Sequence, residues 1–310
     1  MKLTDRFVKG KQERMPVYVP LFEMKDYNNY IISDKLRRAV QIAIALGKPL
    51  LLTGEPGTGK TQLAGYVANH FKDGSEEIEE RLFRFNAKTT SSATDLFYRY
   101  DSLKHFQYVQ NHKEELTNEE IEEKFIKYQA FGKAIKSGKR CVVLIDEIDK
   151  APRDLPNDIL DVMEDLSFEV PEIDAVGDKR MKTELEYSPI VILTSNSEKN
   201  LPDAFLRRCV FFHIEFPKKE KLKEILKART LKTSGKALDI AVDHFMEIRQ
   251  KVKHKKPSTA EFIDWIAVLE NEKFDFNKMN SILSPEDIFK LNSSYAVLIK
   301  NKDDFNELKM

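Results

Sequence analysis

Short apolar runs alternate with stretches of helical periodicity along residues 33–216. Apolar residues recur at helical spacing over 36–44, between Ser33, which suits a helix N-cap, and Gly47, which suits a helix end. The run that follows is short and bounded by turn residues, as is typical of a strand buried in a parallel sheet. Five such runs are predicted strands: Pro49–Thr53, Leu82–Phe85, Cys141–Ile145, Ile190–Thr194 and Val210–Phe216. Their alternation with helices predicts an α/β fold built on a five-stranded, doubly wound parallel sheet.

Beyond Pro217 the strand signal nearly vanishes. Amphipathic periodicity recurs over 222–226, 238–248 and 262–269, and Ser284 with Pro285 has the cap and first-turn proline of a further helix. The sequence therefore predicts a small all-helical domain after the α/β domain. We divide the chain into an N-terminal arm at 1–29, an α/β domain at 30–216, and a helical domain with a C-terminal tail at 217–310.

Charge and composition narrow the class of protein. The chain has 310 residues, with 51 Lys and Arg against 51 Asp and Glu. Zero net charge argues against binding nucleic acid by bulk electrostatics, although it does not exclude a local basic patch. No apolar run approaches the length of a membrane span, and Met1–Pro16 has no apolar signal core. Cys141 and Cys209 each open an apolar run, as buried free thiols of a reducing compartment do. A soluble, cytoplasmic protein is expected.

A glycine-rich turn after the first predicted strand carries the clearest chemical signal. Residues 54–61, GEPGTGKT, match the P-loop pattern G-x-x-x-x-G-K-[ST] in full, with a buried strand before them and a periodic helix after. Its backbone N–H groups can cradle phosphate, Lys60 can reach the β- and γ-phosphates, and Thr61 can bind Mg²⁺. The alternative is a glycine-rich surface turn. The candidate nucleotide-binding residues here are Gly54, Glu55, Pro56, Gly57, Thr58, Gly59, Lys60, Thr61 and Gln62.

An acidic pair follows the third predicted strand. Asp146 and Glu147 come directly after an apolar run, as in the Walker B arrangement, in which the strand's carboxyl end brings one acid to the metal and the other to the attacking water. An acidic pair after a strand can also be a solvated turn. Because a P-loop precedes it, we predict that Asp146 binds Mg²⁺ and that Glu147 is the general base.

Polar residues at the ends of two later segments are further candidates. Asn196, after the fourth predicted strand, can orient the attacking water or touch the γ-phosphate, or else it caps a turn. Arg207 and Arg208 precede the last predicted strand, where they can stabilise charge on the phosphates in the transition state, or else form surface salt bridges.

Together these motifs resemble an AAA+ ATPase and, within that class, the MoxR-like family. The resemblance covers the chain from about Tyr30 to Leu269. It is carried by Gly54–Thr61, Asp146–Pro152, Asp158–Asp165, Thr194–Asn196, Leu201–Arg208 and Lys256–Trp265. It implies a P-loop αβα sandwich followed by a helical lid, with a helix insertion at about 91–138. Separately, the segment at about 168–186 is long enough for a β-hairpin insertion.

The resemblance also assigns roles to single residues. It gives Asn196 the sensor 1 role, makes Arg208 the arginine finger with Arg207 as a second, and places Tyr30, Ile31 and Ile32 in the adenine pocket. One position departs from the family pattern: many relatives carry a sensor 2 arginine at the start of a lid helix, where this chain has Ser258–Glu261. Lys255 and Lys256 are the candidate substitutes.

The leading functional hypothesis is a chaperone-like ATPase that hydrolyses ATP with Mg²⁺ and remodels or activates a partner protein. The resemblance implies a homo-oligomeric ring, taken as hexameric, and a client protein carrying a von Willebrand factor A domain. One alternative is a nucleotide-gated scaffold without productive turnover, against which the intact Glu147 argues. A nucleic-acid motor or loader is disfavoured by the neutral charge and by the lack of a recognisable DNA-binding module.

Overall fold

The computed structural model describes residues 27–71, 77–112, 116–173, 181–197, 201–229 and 233–308. The predicted N-terminal arm at 1–29 therefore lies almost wholly outside the described residues. The strands are β1 (Leu50–Gly54), β2 (Leu82–Asn86), β3 (Tyr98–Tyr100), β4 (Ile126–Tyr128), β5 (Val142–Asp146), β6 (Ser167–Phe168), β7 (Met181–Lys182), β8 (Ile190–Thr194) and β9 (Val210–Ile214). The helices are α1 (Asp34–Leu46), α2 (Lys60–His70), α3 (Thr94–Phe97), α4 (Ser102–Asn111), α5 (Asn118–Phe125), α6 (Ala130–Ser137), α7 (Leu155–Asp165), α8 (Asp203–Arg208), α9 (Lys219–Ala228), α10 (Gly235–Lys251), α11 (Thr259–Asn271), α12 (Pro285–Leu298) and α13 (Lys302–Leu308).

Five strands form one parallel sheet in the order β2-β5-β8-β1-β9. Each predicted run became one of these strands, with ends that differ by at most two residues, so the predicted fold class is confirmed. In this order β8 lies between β5 and β1. The carboxyl ends of the three strands that carry Asp146, Thr194 and Gly54 are therefore neighbours at one edge of the sheet.

Apolar side chains explain why these runs are strands. All five residues of β1 are buried, and the first four of β5 are as well. Strands with both faces covered need continuous apolar sequence, because helices pack on each side. Ser33 caps α1 by accepting the Leu36 N–H at 3.2 Å, and Gly47 ends that helix at φ 61°, a left-handed conformation that costs glycine little.

The region predicted as a helix insertion is mostly helical but also contains two short strands. Besides α3 to α6 it contains β3 and β4, which pair antiparallel from Tyr98↔Tyr128 to Tyr100↔Ile126. Three-residue strands give too short a pattern to stand out in the sequence. The hairpin predicted at 168–186 corresponds to β6 and β7, which pair antiparallel at Phe168↔Met181, and 174–180 lie outside the described residues.

By their internal contacts the residues group into two compact units. The sheet unit comprises Ile32–Gly54 and Lys60–Ile214, and the helical unit comprises Glu215–Met310, Glu55–Gly59 and the residues up to Ile31. In the helical unit α9 to α13 surround an apolar core in which the Phe245 and Phe262 rings stack at 4.0 Å. No helix within the described ranges has both the length and the apolar character to span a bilayer.

Candidate functional site

The P-loop lysine is anchored at the start of α2. Lys60 is buried, and its ammonium donates to the Gly54 carbonyl at 2.7 Å and to the Asn196 side-chain oxygen at 3.0 Å. The first contact ties the lysine to the end of β1, and the second ties it to the chain just after β8. Lys60 and Asn196 were predicted as site residues from separate motifs, and they are in contact at the carboxyl ends of β1 and β8.

Thr61 and Asp146 form the second pair of this cluster. The Thr61 hydroxyl lies 3.1 Å from each carboxylate oxygen of Asp146, to which it donates. A second hydroxyl group completes the arrangement: Thr194, at the end of β8, donates to Asp146 and accepts the Glu147 N–H at 3.0 Å. Since Thr194 is fully buried, its hydroxyl fixes both acids through one rigid side chain.

Glu147 has an unusual backbone. Its φ of 58° is in the left-handed region, which costs a non-glycine residue free energy and is frequent at functional sites. Its carboxylate pairs with the Lys150 ammonium at 2.6 Å, and both side chains are about half exposed. The hydrogen bond to Glu147 raises the pKa of Lys150 above its usual value.

The turn after β8 is held from two sides. The buried Ser195 hydroxyl donates to the Ser197 carbonyl at 2.7 Å and accepts the Ser197 N–H at 3.0 Å. The Asn196 N–H donates to the Asp149 carboxylate at 3.3 Å. These bonds fix the backbone on both sides of Asn196, so its exposed side chain is set towards Lys60.

The tip of the P-loop, Glu55–Gly59, packs within the helical unit. Gly57 has φ 72°, and a Cβ on it would lie 2.6 Å from the Cβ of Ser258, which no real side chain tolerates. Gly59 has φ 90°, and its Cβ would lie 3.1 Å from the Tyr30 ring. Both glycines are required by their conformation and by their close neighbours.

Arg249, in the last turn of α10, reaches the same tip. Its guanidinium donates to the Glu55 carboxylate and to the Pro257 carbonyl, the latter at 2.5 Å, and lies 3.5 Å from the centre of the Phe216 ring. Only 9% of the arginine side chain is exposed, against 49% for Glu55. A buried, permanently charged group is therefore neutralised by a residue of the P-loop.

The other predicted site residues are placed as follows. The Thr58 hydroxyl donates to the Glu55 carbonyl at 2.8 Å, within the loop. Tyr30 is half-buried as a whole, but burial of its hydroxyl raises its pKa. The remaining predicted residues are half-buried or exposed: Ile31, Ile32, Gln62 and Pro56.

Arg207 and Arg208 are not brought to the cluster. Both are exposed in the last turn of α8, and neither forms a hydrogen bond or ion pair with any of the residues that the structure describes. At the position expected for a sensor 2 arginine, Ser258 and Glu261 form a capping box at the start of α11. The Glu261 carboxylate accepts the Ser258 N–H at 2.7 Å, so this segment serves the helix terminus.

The donor set fits Mg²⁺. Within the described ranges no group of three or more His, Cys, Asp or Glu side chains forms a metal cage. Mg²⁺ is commonly held by one or two protein oxygens together with phosphate oxygens and water. The Thr61 hydroxyl and the Asp146 carboxylate lie within hydrogen-bond distance of each other, and they supply oxygen ligands of that type.

Sequence reasoning gave no role to three residues that the structure brings to the site. Thr194 belongs to Thr194–Asn196, one of the segments that carry the family resemblance, but nothing in the sequence shows that its hydroxyl bonds to both Asp146 and Glu147. Lys150 lies only three residues from Glu147, and an i,i+3 charge pair is a signal that could have found it. Arg249 is 194 residues from Glu55, and no local pattern could have found it.

Three comparisons with known proteins were made. The model of the family described as AAA domain (dynein-related subfamily) matches residues 49–209. Among solved structures, the chain is similar to one described as a “putative ATPase” from Cytophaga hutchinsonii, at 17% identity and a TM-score of 0.40, covering 91% of this chain and 87% of that one. A search of curated proteins finds no match. The family match includes the P-loop, both acids and Asn196.

Proposed function

The chain belongs to the AAA domain family, dynein-related subfamily, and from this premise we propose that it is a MoxR-like AAA+ ATPase. It binds ATP with Mg²⁺, hydrolyses the bond between the β- and γ-phosphates, and uses the cycle to remodel or activate a partner protein. The observation that carries the proposal is the convergence of Lys60, Thr61, Asp146 and Asn196 at the carboxyl edge of adjacent parallel strands.

The phosphates bind at the start of α2. The N-terminus of that helix and the turned-in N–H groups of the P-loop attract negative charge, and Lys60 adds a full positive charge beside them. The Lys60 ammonium donates to the neutral oxygens of Gly54 and Asn196. A phosphate group is a stronger partner for an ammonium than either oxygen, so binding redirects a charge that is already in place.

Mg²⁺, when bound with ATP, neutralises charge on the β- and γ-phosphate oxygens. Thr61 and Asp146 would hold it, and Thr194 keeps the Asp146 carboxylate in position. Glu147 takes the proton of the attacking water, for which its carboxylate must leave Lys150. Asn196 helps orient the water or the γ-phosphate.

Hydrolysis is proposed to require a neighbouring protomer. Arg207 and Arg208 are exposed and unpaired among the described residues, as expected of side chains whose partners lie on another subunit. A ring, taken as hexameric, would bring Arg208 to the γ-phosphate of its neighbour. A client carrying a von Willebrand factor A domain is proposed from the MoxR-like resemblance alone. A cytoplasmic location is proposed because Cys141 and Cys209 are free thiols, as in a reducing compartment.

One observation favours the second candidate, a nucleotide-gated scaffold. The Glu147 carboxylate is paired with Lys150 at 2.6 Å, and the ammonium occupies one of its two oxygens. A protein that kept this pair with ATP bound would bind without turnover. Both side chains are about half exposed, however, and such a pair costs little to break, so we favour the ATPase.

Equilibrium binding of a labelled ATP analogue tests the proposal. Wild type should bind it in the presence of Mg²⁺, and Lys60→Ala should lose binding by at least a hundredfold because the phosphates lose their cation. Unlabelled ATP should displace the analogue better than GTP. The N-K-x-D series that follows β5, Asn301–Asp304, lies at the start of α13 in the helical unit and not after a strand of the sheet, and its Asp304 carboxylate accepts the N–H groups of Lys253 and His254 instead of reading a base. No binding by wild type at millimolar ATP would refute the proposal.

Steady-state phosphate release separates the remaining alternatives. A motor on nucleic acid should be stimulated by DNA or RNA, whereas the proposed remodeller should be stimulated by a protein client and not by DNA. A scaffold should show binding with no release under any of these conditions.

A further inference from the structure

The tip of the P-loop is held by three side chains of the helical unit, which we call the P-loop clamp: Arg249 on Glu55, Ser258 on Gly57, and Tyr30 on Gly59. They come from α10, from the start of α11 and from the segment before α1. Each meets a different residue of one five-residue loop. The general role of a P-loop in binding phosphate does not by itself require any of these three contacts.

Arg249 is the only clamp member that carries a charge, and its surroundings are built around it. The Pro257 carbonyl and the Phe216 ring contact its guanidinium, so the arginine is fixed before it meets Glu55. By donating to Pro257 it also fixes the residue next to Ser258, which is the second clamp member. One buried side chain therefore supports two of the three contacts.

The pairing is asymmetric in burial. With 9% of its side chain exposed, Arg249 has little access to water, whereas Glu55 is half exposed. If the loop tip moves away, the arginine loses its anionic partner in a site where water replaces it poorly, and Glu55 is hydrated instead. Moving the tip would therefore destabilise α10, which carries the buried arginine, more than it would destabilise the loop.

We propose that Arg249 is a positioning residue that links occupancy of the P-loop to the stability of α10. The inference rests on the proposed ATP binding and adds a regulatory route to it. The backbone N–H groups of the clamped tip are themselves part of the proposed phosphate cradle, so the clamp fixes groups that would bind phosphate. Linkage is reciprocal: the clamp favours nucleotide binding by the same factor by which bound nucleotide stabilises the clamp.

Hydrogen exchange of the full chain measures whether bound nucleotide stabilises the clamp. In wild type, a non-hydrolysable ATP analogue with Mg²⁺ should slow amide exchange in α10, Gly235–Lys251. In Glu55→Ala the analogue should still bind, through Lys60 and Thr61, but should no longer protect α10. Glu55 is half exposed, so its truncation leaves no cavity, and the Arg249 guanidinium keeps its contacts with the Pro257 carbonyl and the Phe216 ring. This variant therefore keeps the test usable if an arginine variant is unstable.

The dissociation constant of the same analogue measures whether the clamp favours nucleotide binding. Arg249→Met keeps the length and apolar packing of the side chain but removes the charge, and it should raise the Kd at least fivefold, within the range of ordinary coupling between sites. Arg229→Met is the matched control, because Arg229 is also a buried arginine of the helical unit, at the end of α9. It should change the Kd by less than twofold.

The double variant decides between linkage and independent effects. Arg249→Met with Glu55→Ala should bind no more weakly than the weaker single variant, because both remove one interaction. Two results would overturn the inference while leaving ATP binding intact. One is a double variant whose Kd rises by the product of the two single fold-changes, and the other is Glu55→Ala in which the analogue still slows amide exchange in α10. Absence of binding by wild type would overturn the proposed function itself, and the inference with it.

Discussion

The ammonium of Lys150 lies 2.6 Å from the carboxylate of Glu147, three residues earlier in the turn that follows β5. Glu147 has a left-handed backbone at φ 58°, and its N–H donates to Thr194. The backbone of the proposed base is thus fixed from the sheet side, while its carboxylate is held by an exposed side chain. Only the second contact has to break for Glu147 to approach water.

Replacing Lys150 with Met should therefore raise ATP turnover modestly, by no more than about fivefold, because exposed ion pairs contribute little. The variant frees the Glu147 carboxylate without changing its position in the chain. Phosphate release at saturating ATP is the measurement, and ATP affinity should stay unchanged. A loss of tenfold or more would mean that Lys150 itself takes part in hydrolysis.

Thr194→Val should damage the site more than its small chemical change suggests. Valine has the same shape, but it leaves the Glu147 N–H without its acceptor and removes one of the two hydroxyl groups that donate to Asp146, at a cost of about 1–3 kcal/mol in the free energy of unfolding. Turnover should fall about tenfold or more, because both acids lose their alignment.

Thr53→Val is the matched control for this change. Thr53 is equally buried on neighbouring β1, but its hydroxyl bonds to the His213 ring at 2.9 Å and not to either acid. It should lose similar stability in urea unfolding while turnover stays within about twofold of wild type. Equal turnover losses in the two variants would show that Thr194 acts only through stability.

Arg208→Ala should lose activity only where subunits meet. An arginine finger contributes roughly 10³–10⁵ in rate in well-studied phosphoryl-transfer enzymes, whereas an exposed salt bridge would change stability slightly and the rate not at all. Arg208→Ala has an intact pocket and Lys60→Ala has an intact finger. Each alone should be nearly inactive, and mixing them should restore part of the activity.

Two outcomes would count against this arrangement. Activity of Arg208→Ala equal to that of wild type would remove its finger role, and Arg207→Ala, measured in parallel, shows which of the two matters more. If mixing restores nothing, a pocket completed by a neighbour is unsupported. Specific activity of wild type should also rise with protein concentration.

The sheet could be predicted because its information is local. A buried parallel strand must be apolar along its whole length, and the P-loop and the acidic pair identify two strand ends by residue type alone. The short β3 and β4 could not be predicted, since three residues carry too little pattern. Contacts over long separations, such as Arg249 with Glu55, depend on the finished fold and leave no trace in neighbouring sequence.

The helical unit should lose stability at mildly acid pH through His244. Burial lowers the pKa of His244, opposed by Glu247 and assisted by Lys251, and its Nε2 lies 2.8 Å from the Tyr295 hydroxyl. The unfolded chain therefore binds a proton more readily than the folded one. The stabilisation is complete above the unfolded pKa of about 6.5 and is lost as pH falls below it.

Urea unfolding at pH 7.5 and pH 5.5 checks this. His244→Gln keeps a hydrogen-bonding side chain that does not titrate, so its free energy of unfolding should fall less between the two pH values than that of wild type. An equal fall in both proteins would assign the pH dependence to other groups.

Binding and hydrolysis measured on one sample of Glu147→Gln test the proposed ATPase most directly. The substitution keeps the size of the side chain and removes its ability to take a proton, while Lys60, Thr61 and Asp146 are untouched. ATP should bind with an affinity within a few-fold of wild type, and phosphate release should fall by at least about a hundredfold, the lower end of what a general base contributes. Phosphate release equal to that of wild type, with ATP bound, would contradict the assignment of Glu147 and the mechanism built on it.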